Sequence, residues 1–343
     1  MRDATLRDVA LLAGVSPRTV SNVVNGYARV TEGTRRKVEH AIAELGYRPN
    51  VLARNLANGR SGQLAVVVPY LDTPYFAELL QAIIPRARDR GYNVLVDQTD
   101  GDPDHERDLL RRGGRGLLFD GMILSPLGLA QDDLPDDPSL PLVVLGERVS
   151  NGVFDHVGID DVAASRAATA HLIGLGRRRI AAIGDQPYPT GEAAQLRTRG
   201  YRQAHAEAGL PVDESLVVGT PRFNRADGAG AMAALLDRDD PPDAVFCYSD
   251  LVALGALHVA LGRGLRVPED IALIGYDDIE DGRYSNPPIS TVSPDKAAIA
   301  ATAVDRLLER IARDRPLPGV EVRAGHRLIV RHSTAGRAAP DPG

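Results

Sequence analysis

The sequence predicts an α/β protein in two parts. A three-helix N-terminal helix-turn-helix head comes first, followed by a two-lobed core of doubly wound parallel sheets. Three observations predict this. From residue 63 onward, strand-like apolar runs alternate with helical stretches over more than 250 residues, the pattern of parallel sheets covered by helices on both faces. The first 46 residues read instead as short helices joined by a glycine turn. Charge divides at the same place. Residues 1–60 hold ten Lys and Arg against five Asp and Glu, a net of +5; the 343-residue chain is −6 overall, which leaves −11 on the other 283 residues. A basic head on an acidic body fits a chain in which only the head meets a polyanion.

In the head, Thr5 is placed to cap a helix that starts at Leu6, with Asp8 closing a loose capping box. Leu6, Val9, Ala10 and Ala13 form its apolar stripe, and Gly14 stops it. Ser16 before Pro17 reads as an N-cap followed by proline at the first helical position. The second helix, "PRTVSNVVN", turns Val20, Val23 and Val24 inward and presents Pro17, Arg18, Ser21 and Asn22 outward. Arg18 can reach guanine and Asn22 adenine, and the hydroxyls of Ser16, Thr19 and Ser21 suit phosphate. A third helix from Thr31 buries Val38, Ile42 and Leu45 and ends at Gly46. The segment "RPNVLARNLANG", 48–59, has helical spacing over only about two turns, too short to stand alone in water. Leu52 and Leu56 share one face, Asn50 can cap, and Arg54 can reach phosphate.

In the body, strand-like runs fall at 64–69, 92–97, 121–125, 142–146, 156–159, 179–184, 244–248 and 271–276. The length suggests two lobes with a ligand cleft between them, beyond the carboxyl ends of the strands. Only fifteen residues are aromatic, and several follow strands: Tyr70, Tyr75, Phe76, Tyr188, Phe223, Tyr248 and Tyr276. Polar partners sit in similar places: Ser125, Arg197, Ser249, Asp250, Asp277 and Asp278. Flat faces with a few fixed polar groups suit a sugar ring or a nucleobase.

Residues 5–61, "TLRDVALLAGVSPRTVSNVVNGYARVTEGTRRKVEHAIAELGYRPNVLARNLANGRS", resemble without a gap the DNA-binding head of the lactose-repressor family of bacterial transcription regulators. That resemblance implies that the second helix enters the major groove, with Pro17, Arg18 and Asn22 reading bases. Thr5, Ser16, Thr19, Ser21, Asn25, Thr31 and Thr34 contact phosphates or fix the register, and Tyr47, Asn50, Ala53 and Leu56 complete the DNA-binding set. It also implies that two hinge helices, one per protomer, fold together in the minor groove, where Leu56 wedges into the central base step.

The blocks "TPYFAELLQAI", "HLIGLGRRRIAAIG", "LRTRGYRQA", "SDLVALGAL" and "IGYDDIEDGRYSNPPISTV" resemble the family's effector-binding core, itself similar to a periplasmic sugar-binding protein. The resemblance implies a head at 1–48, a hinge at 49–62, a first lobe of 63–159 plus 291–320, a second lobe of 160–290 plus 321–336, and a disordered tail at 337–343. Arg197 is implied as a clamp on ligand oxygens, Asp277 as an acceptor of hydroxyls or an amine, and Phe76 and Phe223 as platforms. Tyr75, Ser125 and Asp250 complete the effector-binding set. Tyr75 and Phe76 also resemble the purine repressor, so sugar and nucleoside ligands both stay open. Many members carry Asp after the "LVVL" strand; here the chain reads Gly146-Glu147-Arg148, and either Glu147 supplies the carboxylate or the contact is lost.

Enzyme motifs are missing: no Walker A loop, no G-x-G-x-x-G after a strand, no G-x-S-x-G, no H-E-x-x-H. The eight histidines lack zinc spacing, so no metal and no cofactor is expected. Cys247, the single cysteine, reads as a buried thiol in a reducing cytoplasm. No apolar run is long enough to span a bilayer, and no secretory leader is evident. The expectation is a cytoplasmic, nucleoid-associated, homodimeric repressor, with palindromic operator DNA and a small molecule, a sugar or nucleoside, as its partners.

Overall fold

The computed structural model describes residues 4–24, 30–47, 60–113, 118–136, 140–147, 152–313 and 317–335. The expected hinge contacts Asn50, Ala53 and Leu56, together with Asn25, Arg148 and the tail from 337, lie outside them. The chain divides into two units, residues 1–61 and 62–343.

The first unit is built on α1 (Leu6–Ala13), α2 (Pro17–Val24) and α3 (Glu32–Leu45). Each start is set by a hydroxyl. Thr5 Oγ1 accepts from the Asp8 amide at 3.4 Å, and the Asp8 carboxylate accepts the Thr5 amide at 2.8 Å, a reciprocal capping box. Ser16 Oγ accepts from the Thr19 amide at 3.1 Å, and Thr31 Oγ1 from the Thr34 amide at 3.4 Å. Gly14 and Gly46 end α1 and α3 with φ of 65° and 58°, a left-handed conformation that glycine takes without steric cost. Val9, Ala10, Val20, Val23, Val38 and Ala41 form the core, with Ile42 and Tyr47 packed at its edge. Leu45, expected inside, is exposed, because Ala41 one turn earlier already fills that side of α3.

The second unit holds two six-stranded sheets. The first is formed by β1 (Gln63–Val68), β2 (Asn93–Gln98), β3 (Gly121–Leu124), β4 (Leu142–Leu145), β5 (Asp155–Gly158) and β11 (Glu321–Arg323), in the order β11-β5-β4-β3-β1-β2, all parallel. The second is formed by β6 (Ile180–Asp185), β7 (Val217–Gly219), β8 (Ala244–Cys247), β9 (Ala272–Tyr276), β10 (Ser290–Pro294) and β12 (His326–Ile329), in the order β12-β10-β9-β8-β6-β7; only the β10–β12 pair is antiparallel. All eight expected runs are strands.

Burial on both faces explains why most of those runs are continuously apolar; β2, at the edge of its sheet, is the exception, with Leu95 and Val96 exposed. In β1, Leu64, Val66 and Val68 pack under α4 (Pro74–Asp89) and α11 (Lys296–Ala312), while Ala65 and Val67 face Leu110, on α5 (Pro103–Gly113), and Phe119. In the second lobe, Ala181 and Ile183 pack with α8 (Arg225–Leu236) and α9 (Asp250–Gly262); Ile180 and Ala182 pack with α6 (Asp161–Gly174) and α7 (Glu192–Glu207). The short α10 (Glu280–Arg283) follows β9, and α12 (His332–Ala335) follows β12.

The chain crosses between lobes three times. The expected borders at 290/291 and 320/321 move. Ser290–Pro294 pairs with β9, so the second crossing follows Pro294; Glu321–Arg323 pairs with β5, so the third follows Arg323. The Asp295 amide bonds Gly325 O at 2.9 Å and the Ala324 amide bonds Gly158 O at 2.8 Å, which ties the crossing segments together. Among the described residues no helix is long and apolar enough to cross a membrane.

Candidate ligand cavity and nucleic-acid face

A cavity of about 570 Å³ opens between the two lobes at the carboxyl ends of their strands. From the first lobe it is lined by Tyr70, Tyr75, Phe76, Ser125 and Glu147, and from the second by Gln186, Tyr188, Arg197, Phe223, Tyr276 and Asp277, among others. The volume is ordinary for a small-molecule site.

Arg197, on α7, is 7% exposed. Its Nε donates to Asp161 Oδ1 at 2.8 Å, Nη1 donates to the Tyr248 carbonyl, and the guanidinium lies 3.8 Å over the Tyr276 ring and 5.7 Å from that of Phe223. Tyr276 Oη donates to the same Asp161 oxygen at 2.8 Å. Burial works against the Arg197 charge, but the carboxylate of Asp161 and the other acidic groups around it outweigh that, so the cation is held firmly. The fork is locked on one edge, beside the cavity that it lines. Asp161 was not among the expected site residues. The signal was present, since Asp160-Asp161 follows a strand at a helix start, where Asp160 Oδ1 caps α6 by accepting the Ala163 amide at 2.9 Å.

Glu147, just beyond β4, lines one recess with Asp161. Asp161 Oδ2 is buried and accepts from no donor among the described residues. Burial first, then the Asp161 charge, push the Glu147 carboxyl well above the usual carboxylate range. Glu147 lines the cavity at the place after β4 where many family members carry Asp.

Asp277 follows β9 with φ of 105° and Asp278 with φ of 50°, conformations that cost a non-glycine residue about 1–3 kcal/mol each. The surroundings over-determine them: the Asp277 amide bonds Val292 O at 2.9 Å, and Arg331 Nη2 bonds Asp278 Oδ1 at 2.6 Å. Burial raises the Asp277 carboxyl to about 7, against the pull of Arg197 and Lys296. Tyr75 and Phe76 meet edge to face at 5.2 Å on the opposite wall.

Asp250 does not join them. Its fully buried carboxylate accepts Thr291 Oγ1 at 2.7 Å and the Ile279 amide at 2.9 Å, and it does not line the cavity. As the first residue of α9 it turns back under the β9–α10 loop; its neighbours Ser249 and Leu251 reach the cavity instead. Tyr248 is likewise core, its hydroxyl 2.8 Å from Thr198 Oγ1. Cys247 is buried in the second lobe's core. Among the described residues no group of three or more His, Cys, Asp or Glu side chains is placed to hold a metal ion.

On the head, Pro17 and Arg18 are exposed and Ser21 and Asn22 half-buried, on one face of α2 with Val20 and Val23 opposite. Ser16 Oγ lies 2.9 Å from Thr19 Oγ1, and Thr31 Oγ1 2.9 Å from Thr34 Oγ1. Thr5 Oγ1 donates to Asp8 at 2.7 Å, which fixes the start of α1.

Two family models match the chain: "Bacterial regulatory proteins, lacI family" over residues 5–50, and "Periplasmic binding protein-like domain" over 169–334. The HTH-type transcriptional regulator DegA of Bacillus subtilis is 34% identical over 335 residues, covering 96% of this chain and 98% of DegA. The transcriptional regulator CelR, solved as a complex with cellobiose, is 35% identical, with a TM-score of 0.70 over 96% of this chain and 99% of CelR. The Lac repressor dimer bound to operator and the anti-inducer ONPF is 27% identical, with a TM-score of 0.84 over 97% of this chain and 99% of its own.

Proposed function

This chain belongs to the lacI family of bacterial regulatory proteins, and on that premise we propose that it is a repressor that binds a palindromic operator as a homodimer under the control of a sugar held between its lobes. As a family member it is a DNA-binding transcription regulator and not an enzyme. The observation that carries the sugar reading is the Arg197 clamp, locked by Asp161 and flanked by the flat faces of Phe223 and Tyr276, in a cavity whose opposite wall holds Tyr75 and Phe76. Aromatic faces stack on the C–H face of a sugar ring, and arginine with Asp277 binds its hydroxyls. CelR, with its bound cellobiose, supports the same class of ligand.

Pro17, Arg18 and Asn22 read bases from α2 in the major groove. Ser16, Thr19, Ser21, Asn25, Thr31, Thr34 and Tyr47 hold the backbone, and Asn50, Ala53 and Leu56 occupy the minor groove at the centre of the site. The head acts on DNA, so the protein works in the cytoplasm, on the nucleoid when bound.

A thermal-shift panel of cellobiose, glucose, ribose, sugar phosphates and nucleosides tests the reading. A ligand present at a hundred times its Kd stabilises by about 2.7 kcal/mol. Stabilisation by a neutral sugar is the expected outcome. Stabilisation by nucleosides alone would make the chain a nucleoside-responsive regulator, which the same stacking faces also permit.

A further inference from the structure

We propose that Glu78 is a positioning residue for ligand recognition: through Lys296 it fixes the Asp277–Asp278 backbone, and so aims the Asp277 carboxyl into the cleft. The inference rests on the reading of Asp277 as a ligand contact. Glu78 lies on α4 of the first lobe, three residues after Tyr75. One carboxylate oxygen accepts the Glu280 amide, at the start of α10 in the second lobe, at 3.0 Å. The other takes the Lys296 ammonium. That ammonium also donates to the carbonyls of Asp277 at 2.7 Å and Asp278 at 3.0 Å.

An ammonium has three hydrogens, and this one spends them on Glu78 and the two left-handed residues. The cluster is enclosed: the Lys296 side chain is 16% exposed, Glu78 is 27%, and the Tyr75 ring lies 5.9 Å from the nitrogen. The other holds on the turn, from Val292, Thr291, Asp250 and Arg331, come from the second lobe. Glu78 brings a hold from the first lobe, on the helix that also carries Tyr75 and Phe76. A surface ion pair would need neither backbone carbonyls nor an amide. This one is bonded at both ends to the turn that presents Asp277, so the aim of Asp277 depends on how the lobes sit.

Hydrogen exchange on the ligand-free full chain, read by mass spectrometry over residues 277–283, tests it. In Glu78→Gln and in Lys296→Met, exchange across 278–282 rises about tenfold, the loss of roughly one charge-assisted hydrogen bond, while operator binding holds. Wild-type exchange in both variants overturns the inference. The charge swap Glu78→Lys with Lys296→Glu separates positioning from ion pairing. A carboxylate at position 296 has no hydrogen to donate to the two carbonyls, and an ammonium at position 78 has no lone pair to accept the Glu280 amide, so the swapped chain stays loose. Recovery of slow exchange in it would reduce the cluster to an ion pair and overturn the inference. Asp277→Asn keeps wild-type exchange, so its cellobiose affinity, measured by calorimetry, reports separately on the reading of Asp277.

Discussion

At the scale of single residues, the cavity turns on Asp161, whose Oδ1 takes both Arg197 and Tyr276 and whose charge acts on Glu147. Breaking a buried ion pair from one side costs about 3–5 kcal/mol, because the remaining charge stays buried and unpaired. Arg197→Ala is therefore expected to lose ligand response and to lower the melting temperature together. Asp161→Asn in the same chain should recover much of the stability and none of the response. A double variant no more stable than Arg197→Ala would remove Asp161 as the cause. Glu147 gives a pH signature. Its carboxyl is raised in the folded chain by burial first and by Asp161 second, so the stability it contributes is fully present below the unfolded carboxylate range and is lost as pH rises through the raised folded value. Glu147→Gln has no proton to lose. Its melting temperature relative to wild type should climb from pH 5 to pH 8; a gap that stays constant across that range would show that Glu147 is ionised throughout. Asp277, with its carboxyl at about 7, titrates in the same range and acts on Glu147, so the comparison is made with Asp277→Asn in both chains.

At the scale of elements, legibility followed what is local. Strands buried on both faces announce themselves as runs such as "LAVVV", and α1 and α3 as Thr5 and Thr31 caps with Gly14 and Gly46 stops, because each rests on a few adjacent residues. Lobe membership of β10 and β11 was not local. It depends on Ser290 pairing with Ile274 and Glu321 with His156, partners that no spacing specifies. Asp250 was misplaced for a related reason: a strand end locates a residue near the cleft without saying which way its side chain turns. Asp161 and the Glu78–Lys296 pair went unseen because their meaning lies in a partner from a distant part of the chain. The hinge segment, outside the described residues, is proposed from its local spacing and its family resemblance. A helix of about two turns gains its stability from what it packs against. On the proposal that Leu56 wedges between base pairs, Leu56→Ala is expected to weaken operator binding more than binding to random duplex, since only the operator places an easily kinked step beneath it. Equal losses on the two duplexes, measured by anisotropy, would remove the wedge.

At the scale of the whole molecule, the division of charge sets two sites against each other in their response to salt. The head carries +5 over residues 1–60 and would meet phosphates at its surface; the other 283 residues carry −11 and repel DNA everywhere else. Each phosphate neutralised releases a counterion, so a pair of such heads making about 6–10 phosphate contacts should lose on the order of a thousandfold or more in operator affinity between about 50 and 200 mM salt. The cavity is built the other way. Arg197 is 7% exposed and its charge is answered by Asp161 within the fold, out of reach of the ions that screen surface charges over about 8–10 Å. Sugar affinity, read by calorimetry over the same salt range, is therefore expected to change by less than about threefold. A parallel decline at both sites would mean that the ligand is itself an anion drawn in by surface charge, and would replace the neutral sugar with a phosphorylated one. An operator affinity that ignores salt would mean that the basic head does not hold the backbone, and the division of charge would then have nothing to do with DNA.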